Sequence, residues 1–146
     1  MTRTPAEILL FASLAINAAL LIFLAGVLRK VMDEMDESAF KQFVVSLVRH
    51  SKRSVFMIAV LNLPLLGAIP YFYFFGFGNR WLIAGLVLWL AAGGIGKMMK
   101  LPIYKAVETG DDAKLSEERR KLHAGNLLQA ILNTAATALA VVPLMR

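Results

Sequence analysis

Four long apolar runs, at 8–28, 55–77, 81–99 and 124–145, occupy most of this 146-residue chain. A hydrocarbon core about 30 Å thick is crossed by roughly 20 helical residues, so each run is long enough to span it. Lys97 is the one charge inside the runs, near an end from which its stem can reach the interface. With 58% hydrophobic residues, a water-soluble fold of this size would expose too much apolar surface. A helix in lipid satisfies its own backbone hydrogen bonds. The sequence therefore predicts one all-α domain: a four-helix transmembrane bundle with cytoplasmic helical extensions. Its helices fall at about 6–29, 54–77, 79–99 and 122–145, with an amphipathic segment at about 38–53.

The formal charge of +6 is distributed unevenly. Six Lys and Arg lie in 29–53 and seven in 97–121, thirteen of the sixteen in the chain. The positive-inside rule makes connections 30–53 and 100–121 cytoplasmic and puts both termini on the outer side. The expected location is a bacterial inner membrane. Orientation, with attraction to anionic membrane lipids, accounts for the basic residues, so nucleic acid is not an expected partner. Run 8–28 is longer than a 7–15-residue signal core, and its positive charges follow it, so it reads as a retained helix. The lack of cysteine excludes disulfides, thiolate metal sites and cysteine nucleophiles.

Punctuation along the chain adds detail. Phe40, Phe43, Val44, Leu47 and Val48 recur at helical spacing after Ser38, an expected N-cap. The acidic run 33–37 reads as a solvated turn before that helix rather than a metal site. Pro64 and Pro70 each remove a backbone donor and should kink helix two. The aromatic run 71–77, with Trp81, forms an interfacial belt. The short turn 76–80 predicts that helices two and three are antiparallel neighbours. Ala92 and Gly96 stand at the spacing that lets membrane helices approach closely. Pro102-Ile103 falls in the connection after helix three, and a charged helix from about Ala113 continues into helix four.

Polar residues inside the runs mark the candidate site. His123, Asn126, Gln129, Asn133 and Thr137 share one sector of helix four. Amides are costly in hydrocarbon, so this stripe faces the bundle interior. Asn17, Asn62 and Asn133 fall at similar depths in helices one, two and four, close to Pro64. Two compatible readings stay open: interhelical hydrogen bonding, or a pocket lined by Asn17, Asn62, Asn126, Gln129 and Asn133. His123 and Arg119 stand at its mouth as the candidate catalytic pair, with His123 the candidate general base. No metal or cofactor is predicted; haem held by His50 and His123 is the alternative. A carboxylate-bridged di-iron site lacks its Glu-x-x-His pairs.

Several short features carry a family resemblance. They are Pro102-Ile103, the charged stretch 111–121, Arg119 seven residues before Asn126, the acidic segment 31–40, and Arg80-Trp81. On these the chain resembles the anthrone-oxygenase-like family of small four-helix membrane proteins. It carries Leu122 where that family often has Trp, and Gln129 where it often has Arg. The resemblance implies the four-helix fold and cofactor-independent oxidation of a lipophilic aromatic molecule. The expected function is binding, with oxidation implied by the resemblance alone, of a lipophilic aromatic or lipid-like molecule within the bundle. The alternative is a non-catalytic accessory or assembly subunit. Expected partners are membrane lipids, the lipophilic molecule, and a homo-oligomer or larger membrane complex.

Overall fold

The computed structural model describes residues 3–110 and 114–145. It is all-α, and four of its helical stretches are long and apolar enough to cross a membrane. The first comprises α1 (Arg3–Phe23), a π-helical turn (Leu24–Leu28) and α2 (Arg29–Asp33) in one rod. α3 (Glu37–Arg53) is amphipathic, and α4 (Val55–Phe75) is the second long helix. α5 (Arg80–Thr109) and α6 (Leu115–Val141) are the third and fourth. The described residues therefore have a terminal end, holding the start of α1, the 76–79 turn and the end of α6, and a connection end, holding α2, α3, the end of α5 and the start of α6.

Local chemistry sets the boundaries. Asp36, not Ser38, caps α3, its carboxylate accepting from Ala39 N at 2.8 Å. Ser54 ends α3 in extended conformation and caps α4 by accepting from Met57 N at 3.2 Å, so the amphipathic helix and helix two are separate. Gly76 closes α4 at φ +67° and ψ −172°, backbone space open essentially to glycine alone. Asn79 then caps α5, its side-chain oxygen accepting from Trp81 N and Leu82 N. α5 carries on through Pro102 to Thr109, ten residues beyond the predicted end at 99. Ala92, Gly96, Lys100, Ile103 and Val107 form one buried face across that proline. Pro102 is exposed, so its missing N–H falls away from the packed face.

Two apolar clusters, one at each end, hold the molecule. At the terminal end, Ala6, Leu10, Leu14, Ala68, Tyr71, Leu82 and Ala140 bring all four long helices together. At the connection end, Met32, Phe40, Val44, Ile103, Val107, Leu115 and Leu122 pack α2 and α3 onto the ends of α5 and α6. The predicted helical extensions are thus a second packed layer, a head on the bundle. α5 and α6 make the most intimate pair, because Gly85 leaves no room for a Cβ beside the Ala136 carbonyl. α6 also packs on α1, and α1 on α4. α4 and α5 are not a closely packed pair despite their short turn, so the spatial order is helix two, one, four, three.

Candidate functional site

The buried amides serve packing first. Pro64 has no N–H to give the carbonyl of Val60, four residues back. Asn17 Nδ2 supplies the missing donor across the helix pair, at 2.7 Å. Its Oδ1 accepts from Trp89 Nε1 at 3.5 Å, so one amide links α1 to α4 and to α5. Gln129 does the corresponding work between α6 and α5. Its Nε2 donates to Ala92 O at 2.8 Å, and its Oε1 accepts from Lys100 Nζ. A Cβ on Gly96 would overlap that amide, which explains the small residue at this position.

Asn133 is buried, with Nδ2 donating to Gln129 O at 2.9 Å and Oδ1 without a partner. Asn126 is buried, and its side chain makes no hydrogen bond among the described residues. Asn62 departs from the predicted convergence. It is exposed on α4 and donates to Ile58 O in its own helix, so it does not meet Asn17 or Asn133. The reason is rotational: α4 packs through Pro64, Gly67, Ala68 and Tyr71, and residue 62 lies on the opposite side.

His123 and Arg119 belong to the head. His123 Nε2 stands 2.8 Å from Asp33 Oδ1, and its Nδ1 is buried without a partner. Arg119 donates to the carbonyls of Met35 and Asp36, at 3.1 and 3.5 Å, and lies over the Phe40 ring at 4.4 Å. Together they fasten α6 to the turn between α2 and α3. Two members of the acidic run are engaged in the same place: Asp33 meets His123 and Arg29, while Asp36 caps α3. His50 is exposed on α3.

Two residues gain weight from the structure. Lys100 is 8% exposed, with the neutral Gln129 amide as its hydrogen-bond partner and its stem against Gly125. Its signal was the Ala92–Gly96 periodicity, which carries on to residue 100 once α5 is allowed to pass Pro102. Glu7 is buried at the terminal end. Its Oε1 accepts from Arg3 Nε at 3.0 Å, Tyr71 OH at 3.1 Å and Asn79 Nδ2 at 3.4 Å, tying α1 to α4 and to the cap of α5.

Two cavities lie away from the five amides. A polar one of about 450 Å³ lies at the terminal end among Arg3, Glu7, Asn79, Arg80, Trp81 and Pro143. An apolar groove of about 550 Å³ opens sideways between the rod of α1 and α6. Ile22, Ala25 and Gly26 form one wall, and Leu127, Ile131 and Thr134 are part of the other. Ala25 and Gly26 belong to the π-helical turn, a wide turn often found where helices carry sites. A Cβ on Gly26 would meet nothing within 4 Å. Comparison with protein-family models, with curated proteins and with solved structures finds no match.

Proposed function

We propose that this chain is an integral membrane protein that binds a lipid-like apolar molecule in the groove between α1 and α6. The observation that carries this reading is the open space before Gly26, in a groove whose other lining is small or aliphatic. From Leu127 to Ala138 the groove follows α6 for about 16 Å, an elongated shape suited to an aliphatic chain rather than a ring system. Its one hydroxyl, Thr134, donates to Ala130 O at 2.8 Å, which leaves hydrocarbon as the complementary surface. Nothing in this lining moves protons or electrons, so the groove's role is binding. The connection end, with its thirteen Lys and Arg, faces the cytoplasm, and the membrane is a bacterial inner membrane.

A diazirine-bearing fatty acid, photoactivated on delipidated protein, tests the site. Labelling should map to 22–26 and 127–138, and unmodified fatty acid should compete it away. Gly26→Leu should abolish the competed fraction, whereas Gly93→Leu, also in open space, should leave it. Equal competed labelling in both variants would place binding elsewhere. Orientation is read from single cysteines in this cysteine-free chain, labelled with an impermeant maleimide on intact cells. Gly78→Cys should react and Lys105→Cys should not; the reverse would invert the topology.

A further inference from the structure

Asn62 sits where a membrane helix ordinarily carries no amide. α4 turns Pro64, Gly67, Ala68 and Tyr71 into the bundle. Asn62 lies diametrically opposite, in line with Ile58, Leu66, Ile69 and Tyr73, all exposed. One of its amide N–H groups goes to Ile58 O at 2.7 Å. The other N–H and Oδ1 have no partner among the described residues. Hydrocarbon offers such groups nothing, and polar side chains in membrane helices turn inward or find a partner in the membrane.

A second observation points the same way. Residues 55–63, the half of α4 before the proline, include no buried residue. Full burial of this helix begins at Pro64; before it only Met57, Val60 and Leu63 are half-buried, on the side that receives Asn17. The opposite side, carrying Asn62, packs on nothing among the described residues.

The chemistry of the exposed group selects the occupant. An amide carries a donor and an acceptor, so two copies about a twofold axis can exchange N–H···O bonds and satisfy each other. Ala59, small and exposed on the same side, lets two such helices come close. We infer that a second copy of this chain docks on the outer face of α4, with the two Asn62 amides paired across the twofold axis. This surface is distinct from the groove between α1 and α6, and either assignment stands without the other.

The absence of native cysteine makes the test clean. Ala59→Cys and Leu66→Cys should form disulfide-linked dimers on mild oxidation in membranes, and Val87→Cys, exposed on α5, should not. Adding Asn62→Leu should weaken association about three- to twentyfold, the range expected for one amide pair in lipid, measured by energy transfer between labelled copies. Asn62→Gln retains the amide and should retain the dimer. Because Asn62 is exposed and its hydrogen bond stays within α4, the monomer's unfolding should be the same in wild type, Asn62→Leu and Asn62→Gln. Association unchanged by Asn62→Leu would overturn the inference. So would Val87→Cys linking as readily, or a crosslink formed to a different polypeptide.

Discussion

At the scale of single residues, the polar groups of this chain repair or exploit breaks in helix backbone. Pro64 leaves the Val60 carbonyl without its donor, and Asn17 provides one from the neighbouring helix. Asn17→Leu should therefore destabilise the fold by about 1–2 kcal/mol, whereas Asn62→Leu should leave the stability of the monomer unchanged. Unfolding by denaturing detergent compares the two; equal stabilities would remove Asn17 from this role. Lys100 and Gln129 form a unit of a different kind, a buried ammonium held by a neutral amide. Gln129→Leu should cost about 1–3 kcal/mol because it strands the amine, and Lys100→Met should cost less. The double variant should recover part of the loss, and strict additivity would show that the two side chains do not interact. The value of Asn17 was legible in the sequence from its depth beside Pro64. That of Asn62 was not, because depth does not specify which way a helix turns in its bundle.

At the scale of elements, the head is where sequence and structure differ most instructively. Periodicity revealed α3, and the charged lead into α6 was equally plain. The continuation of α5 was hidden, since Pro102 reads as a stop when the packed face it leaves intact is not considered. For the same reason Lys100 falls in a connection by sequence and on a buried face in the structure. Arg119 and His123, at the mouth of a pocket in the sequence reading, are the bolts of the head. Arg119 caps the Met35 and Asp36 carbonyls while covering Phe40. Arg119→Ala should loosen the turn between α2 and α3, raising amide exchange across 34–40 at least tenfold, with little change in α1 or α4. Exchange that stays protected would mean that the apolar cluster alone secures the turn.

For the whole molecule, an all-α bundle with four helices long and apolar enough to cross a membrane follows directly from run length and hydropathy, and the structure has that form. The order two, one, four, three does not follow, because a short turn joins two helices without obliging them to pack. What sets the order is contact chemistry: Gly85 and Gly96 seat α5 on α6, and Asn17 seats α1 on α4. This order leaves the α1–α6 seam on the flank of the bundle, where the π-helical turn gives it one wall. Neither the turn nor the seam was visible in a run of uniformly apolar residues. Native mass spectrometry of wild type and Gly26→Leu, gently extracted from their own membranes, tests the proposed occupancy most directly. The wild type should retain a reproducible added mass of a few hundred daltons that the variant lacks, with both proteins folded. The same added mass on both, or none on either, would contradict a lipid-like guest in the groove.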